Sequence, residues 1–465
     1  MGHETILIAR LFFWAILPLT VLLPVRWSTV AYLLLIQFDL TGPAFYAADS
    51  LGWENAIKTV VVPTILLLRI LPTDALSPGV VKLGRIWLIF TAYAALAVLW
   101  SPYKLSAFKM LGYLYAYSVL FLVFTLGWRR GWFTARTLMF LLWSALCFAA
   151  LQTYLLGNEY GIMGDFYGSP AFESRFTTFS GAQSFAAFLL SLFVLLMFTE
   201  TWTAGVISAG LGATIGILLT GSRSIFLGFA WVLFLLGIFY AKKKGKSIST
   251  SSIVKRALVG TGLAAALGGL VLTLLPENRL NQMLSTAVSS NASLEDVGTF
   301  VWRLTLYQKT LDELQVRKWK TLLIGSGTSS AAELVVSAGL YTDKNVDPNR
   351  ALHDEFLRSL YEWGLPGLLL LLAFLVQAAR LSFRLIKTAD ATPGWAFVAI
   401  LVPMLISLTV ENFLAESAEP GGASYLLTLT CMAVATADSV RLWRHQTHSS
   451  PVEMTVRAEE FLPAR

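Results

Sequence analysis

The sequence predicts an all-α polytopic integral membrane protein of about 12 transmembrane helices. Three observations carry that prediction. Of the 465 residues, 56% are hydrophobic and only 14% charged, whereas a soluble chain carries roughly 25% charged residues. Apolar runs of roughly 20 residues, the length that crosses a bilayer as a helix, recur along the chain. Lys and Arg gather in the short loops between these runs, as membrane topology demands.

The apolar segments run over 6–24, 27–40, 56–71, 85–100, 107–127, 134–156, 180–200, 203–220, 223–241, 255–275, 356–380, 395–412 and 423–440. Pro24-Val25-Arg26 separates the first two, and the second is short. Read as one broken element, they leave twelve helices. The first segment lacks a small-residue cleavage site and reads as an anchor, not a cleavable leader. Glycines over 205–221 suit close helix packing in lipid, and no strand precedes them to make a phosphate loop.

Loop charge sets orientation. Lys242, Lys243, Lys244, Lys246, Lys255 and Arg256 form one basic loop, placed in the cytoplasm. Arg129, Arg130 and Arg136 form another, Arg380, Arg384 and Lys387 a third, and Arg441 and Arg444 follow the last span. These loops are mutually consistent; Lys104 and Lys109 fall on the other side. Both termini are then cytoplasmic. The division expected is transmembrane helices over 1–275, a large outer loop over 276–355, further transmembrane helices over 356–445 and a solvated cytoplasmic tail over 446–465. The outer loop holds eight basic and ten acidic residues, so it is no polybasic arm. WRLTLYQKTLDELQ (302–315) and SSAAELVVSAGL (329–340) have the spacing of amphipathic helices lying over the bundle. Helix is expected from about 349 straight into the next span.

The net charge of +7 follows from topology, so no nucleic-acid partner is expected. Cys147 and Cys431 lie inside apolar runs and give no disulfide framework or metal spacing. No paired-aspartate metal motif, HExxH, CxxC or phosphate loop occurs. Metal-dependent sugar transfer uses a carboxylate cluster to hold the cation; here no metal and no cofactor are expected.

Of four histidines, His3, His445 and His448 lie near the ends, and His353 alone lies in the body. An imidazole takes or positions a proton near neutral pH; the plainer reading is an interfacial hydrogen bond. Arg175, Arg223 and Arg303 fall outside under this topology, against the positive-inside bias. Arg223 sits in a turn between long apolar runs, where charge is retained for a ligand or partner, or else snorkels to headgroups. Arginines converging on one histidine suit a phosphate or pyrophosphate, since the guanidinium fork matches phosphate oxygens. Most outer carboxylates (Asp39, Asp49, Glu54, Asp165, Glu173, Asp354 and Glu355) read as solvated or structural. Glu362 is nine residues from His353, so it projects from the other side of the helix. Glu411, near an outer membrane end, stays a candidate.

Together these residues resemble the O-antigen ligase and polymerase superfamily of bacterial cell-envelope enzymes. HDEFLRSLYEWGLPGL (353–368) resembles that family's histidine, leucine-spaced helix and acidic-x-Gly-x-x-Gly-Leu. TGSRSIFLGF (220–229) is similar to its Ser-Arg turn, and RFTTFSGAQSFAAF (175–188) to its Arg…Phe-x-Gly element, with Ser184 where the family often has Asn. WRLTLYQKTLDEL (302–314) followed by LIGSGTS (323–329) resembles its arginine helix and Gly-x-Gly loop. The resemblance covers roughly 170–370.

The resemblance implies a GT-C-like glycosyltransferase bundle in the bacterial inner membrane, its site facing the periplasm. It implies an undecaprenyl-diphosphate-linked glycan donor, a lipid A-core acceptor and no obligatory protein partner. It implies catalysis by His353, Arg223 and Arg303 with substrate binding by Arg175, Arg223, Arg303 and Glu411. A polymerase would pass the glycan to another repeat unit. A transporter would bind the same anionic lipid without bond chemistry, but transporters carry internal repeats and none is visible here.

Overall fold

A computed structural model of the chain describes residues 3–36, 56–70, 78–156, 182–199, 202–220, 222–243, 299–331, 334, 352, 354–386 and 392–410. Among the described residues all regular structure is helical. The helices are α1 His3–Leu22, α2 Val25–Leu35, α3 Val62–Ile70, α4 Pro78–Ala97, α5 Lys104–Arg129, α6 Ala135–Leu156 and α7 Ala182–Thr199. They continue as α8 Ala204–Thr220, α9 Arg223–Lys243, α10 Thr299–Val316, α11 Trp319–Ile324, α12 Glu355–Ile386 and α13 Thr392–Val410. The expected segments 255–275 and 423–440 and the tail lie outside the described residues, as does most of the expected outer loop.

Four of these elements are long and apolar enough to cross a membrane: Gly79–Trp100, Lys104–Gly127, Ser224–Ala241 and Glu355–Arg384. Six shorter apolar helices accompany them. The expected count of about twelve meets one clear physical limit in α2. Its 11 residues span about 16 Å at 1.5 Å per residue, half of a hydrocarbon core of about 30 Å. The first two apolar segments are therefore two helices packed on each other, not one broken span. Pro24 lies at the break. Arg69 from α3 closes it, donating to the carbonyls of Val21 (2.8 Å) and Leu23 (2.6 Å) that the helix end leaves unpaired, and to Ser28 Oγ (2.9 Å). Lys104, the outer-side exception in the loop pattern, does the same job. Its ammonium donates to the carbonyls of Val98 (2.6 Å) and Leu99 at the end of the α4 span.

Packing runs from neighbour to neighbour through α7, α13, α12, α4, α5, α3, α2 and α6 and back to α7. α7 also packs on α8 and α9. Residues 185–198 of α7 are all buried, which fits a helix that is apolar on every side. The glycines of α8 act as the sequence suggests. A Cβ at Gly216 would stand 2.7 Å from Leu189 of α7 and 2.8 Å from Leu146 of α6, so only hydrogen fits between the three helices.

Two expectations about the outer segments shift. Residues 302–315 are helical within α10, but residues 328–331 form a turn where a helix was expected from 329. Helix preceding the last described hairpin begins at Glu355, not near 349. α12 is itself two helices meeting at Gly364, whose φ of 63° and ψ of −163° break the helical path. Pro366 then opens the second half, where its missing N–H costs nothing.

Candidate functional site

Of the predicted site residues, positions 223 and 303 fall on described elements, and these meet at one end of the bundle. Arg223 is the first residue of α9. Beside it, α9 and α13 run antiparallel: a Cβ at Gly228 would stand 2.7 Å from Pro403, and Trp231 Nε1 donates to the Val398 carbonyl at 3.4 Å. That register brings the start of α9 level with the end of α13. The end of α13 also receives α10, since Tyr307 Oη donates to the Thr409 carbonyl at 3.1 Å. Residue 303 lies one turn before Tyr307 on α10. α7 starts at this end too, because α7 and α8 are antiparallel, with Gly210 against Met197 and Gly216 against Leu189. Arg175, His353 and Glu411 lie outside the described residues.

Both neighbours of His353 are fixed. Leu352 is buried in a small core that it shares with Leu306 and Leu314 of α10, with Ala331 and Leu334, and with Tyr361 of α12. Asp354 caps α12: its Oδ1 accepts the backbone N–H groups of Phe356 and Leu357, each at 2.9 Å. Leu352 is thus held against the helix that carries residue 303.

Burial pushes the Asp354 carboxyl up from its ordinary range, and the hydrogen bonds from Leu357 and Phe356 oppose that shift. A folded-state pKa above the unfolded one gives stability that is full below the ordinary carboxylate range, about 3.9, and lost as pH rises through the folded value. Ionised Asp354 is therefore the costly form at neutral pH. Asp354→Asn keeps the capping oxygen without the charge. It is expected to melt at or above the wild-type temperature at pH 7, with the advantage shrinking as pH falls. Asp354→Ala loses the cap and about 1 kcal/mol. Thermal unfolding in detergent across pH measures both, and an asparagine variant weaker than alanine would contradict the assignment.

Below the cap, a buried ionic cluster joins α12 to the loop after α11. Glu355, Arg358 and Glu362 are buried and spaced i, i+3 and i+7, which puts them on one helix face. Arg358 Nη1 lies 3.6 Å from Glu355 Oε1, and Arg358 Nε lies 3.3 Å from Glu362 Oε1. Arg358 Nη2 reaches Met110 Sδ of α5 at 3.1 Å. Glu362 also accepts the backbone N–H groups of Ser329 at 3.0 Å and Ala331 at 3.3 Å. One carboxylate therefore holds a turn and an arginine together.

The loop also docks on the break in α12 through its backbone. Ser326 N donates to the Tyr361 carbonyl at 3.0 Å, and Gly327 N to the Glu362 carbonyl at 2.9 Å. A Cβ at Gly325 would lie 2.2 Å from Glu362 O, and one at Gly364 would lie 2.5 Å from Leu323 O. Both glycines also have positive φ. No side chain fits either place, which is the physical content of the Gly-x-Gly and Glu-x-Gly patterns. Further bonds complete the joint: Trp363 Nε1 to Thr328 Oγ1 at 3.0 Å, Thr328 Oγ1 to the Ala94 carbonyl and Ser101 Oγ to the Thr328 carbonyl, both at 2.6 Å. The Arg317 guanidinium stacks 3.5 Å from the Tyr361 ring centre and donates to Ser326 Oγ.

With this geometry the comparison with known families is specific. Residues 207–372 match the family model of the O-antigen ligase. The match covers about a third of the chain. Among curated proteins none matches the chain. The O-antigen ligase match begins in α8 and ends inside α12, so it takes in Arg223, Arg303, His353 and the α11-loop and α12 sides of the Glu362 joint, but not Arg175 or Glu411. With its long apolar helices, the chain is a multi-pass membrane protein that carries a region similar to the O-antigen ligase. In the sequence the joint shows only as motif letters, and its acids read as solvated or structural. Glu355 and Glu362 are structural and buried; their shared face with Arg358, at i, i+3 and i+7, was the available signal.

Proposed function

We propose that the protein is a metal-independent, inverting glycosyltransferase, an O-antigen ligase. It moves glycan from undecaprenyl diphosphate to lipid A-core at the periplasmic face of the inner membrane. The observation that carries this reading is the meeting of the start of α9, the end of α13 and α10 at one end of a bundle, within and beside the O-antigen ligase match.

The acceptor hydroxyl attacks the anomeric carbon from the face opposite the diphosphate. The bond from that carbon to the diphosphate oxygen breaks as the new glycosidic bond forms. His353 takes the hydroxyl proton. Arg223 and Arg303 grip the diphosphate and stabilise its growing charge, the task a cation performs in metal-dependent transferases. Arg175 and Glu411 contact donor or acceptor.

The test is transfer by purified protein in detergent, with an undecaprenyl-diphosphate-linked glycan and purified lipid A-core. Wild type is expected to yield glycosylated lipid A-core in the presence of EDTA. Arg223→Ala and Arg303→Ala are expected to lose on the order of 10²–10³-fold, as does removal of one oxyanion donor. Extension of lipid-linked repeats without transfer to lipid A-core would identify a polymerase, and no bond chemistry at all would leave transport.

A further inference from the structure

The junction of α10 and α11 carries an apolar face that no described element covers. Val316, Trp319, Leu323 and Ile324 are 79%, 66%, 42% and 52% exposed. Lys318 and Lys320 are exposed among them, and Lys320 Nζ lies 5.8 Å from the Trp319 ring centre. The stretch VRKWKTLLI (316–324) has three basic residues and no acid. In water such a patch marks an interaction surface.

Its depth identifies what covers it. Tyr93 Oη donates to the Ile324 carbonyl at 3.1 Å. Tyr93 lies seven residues inside the end of the candidate span Gly79–Trp100, about 10 Å at 1.5 Å per residue. On the other side, Leu323 O lies against Gly364, nine residues inside the span Glu355–Arg384. α11 thus stands abreast of the membrane-crossing parts of α4 and α12, not above them. Leu365 and Leu369 of α12 continue the same exposed apolar surface away from the end of the bundle.

We infer that α11 and the last turn of α10 form an interfacial wedge in the leaflet at this end, seated on anionic phospholipid. Trp319, Leu323 and Ile324 lie at the boundary of headgroups and acyl chains, and Lys318 and Lys320 reach up to lipid phosphate. The wedge holds α10 from the lipid side, as Glu362 holds its loop from the protein side, and so fixes the depth of residue 303. This inference does not depend on the transferase reading.

The test uses the full chain carrying Cys147→Ser and Cys431→Ser, with one spin label at Trp319→Cys, Leu323→Cys or Asp312→Cys. Each is reconstituted in phosphatidylcholine vesicles with and without phosphatidylglycerol, and collision with oxygen and with a water-soluble nickel chelate is measured. Labels at 319 and 323 are expected to favour oxygen, and the label at 312 the nickel chelate. With phosphatidylglycerol present, Lys318→Gln with Lys320→Gln is expected to move the 319 label toward water. Nickel access at 319 and 323 equal to that at 312 overturns the wedge. Low access to both reagents overturns it in favour of a protein partner or second copy. A depth unmoved by the lysine changes overturns the phosphate contact.

Discussion

Replacing His353 by alanine is expected to slow glycan transfer about 10²–10⁴-fold, the usual worth of a positioned general base, while leaving insertion and melting temperature near wild type. The reason for an intact fold is that the local structure rests on the neighbours. Leu352 fills the core shared with α10, and Asp354 caps α12. A base acts only when deprotonated, so wild-type transfer should fall as pH drops through the imidazole range, about 6.5 for an unperturbed side chain. The residual activity of His353→Ala should lack that acid limb. His353→Asn separates base from orienting group, since the amide hydrogen-bonds but does not take the proton. An asparagine variant near wild type would remove the base and leave only positioning. An alanine variant near wild type would remove both roles.

Glu362→Ala is expected to give the largest loss of stability. It takes one carboxylate from an arginine and from two backbone N–H groups, all buried. Breaking a buried pair by removing one partner costs about 3–5 kcal/mol. Glu355 remains to balance Arg358 in part, but nothing replaces the acceptor for Ser329 and Ala331. Amide exchange over 325–331 should therefore rise sharply and the melting temperature fall, with Glu362→Gln intermediate because it keeps one acceptor oxygen. Transfer should fall as well, through displacement of α10. Unchanged exchange protection over 325–331 in Glu362→Ala would show that the clamp does not hold the loop.

The two residues differ in how far the sequence reveals them. His353 stands out by count: it is the one histidine away from the ends of a chain poor in titratable groups. Glu362 does not, because a glutamate near an apolar run looks like any solvated terminus. Two of its partners are backbone N–H groups 33 and 31 residues earlier, and a backbone N–H has no letter. The motif strings around Gly325 and Gly364 are visible as glycines. That the two face each other, each leaving no room for a Cβ, is a fact of two segments meeting. The same applies to Arg69, inside an apolar run, and to Lys104, an exception in the loop pattern: both bond carbonyls at helix ends.

The membrane class, the positions of most described helices and the resemblance over 207–372 were legible in the sequence. Each follows from composition or local pattern: apolar runs of crossing length, basic loops, and short motifs in a fixed order. Helix ends were less certain, and α12 starts where Asp354 can cap it, a few residues later than periodicity alone suggests. What the tertiary structure alone decided is which ends meet. The antiparallel register of α9 and α13, the Tyr307 bond to Thr409 and the Glu362 joint bring α9, α10, α12 and α13 together. Hydropathy has a period along each helix but carries nothing about its neighbours. Convergence is fixed only when ridges, glycines and buried polar groups find partners far away in the chain.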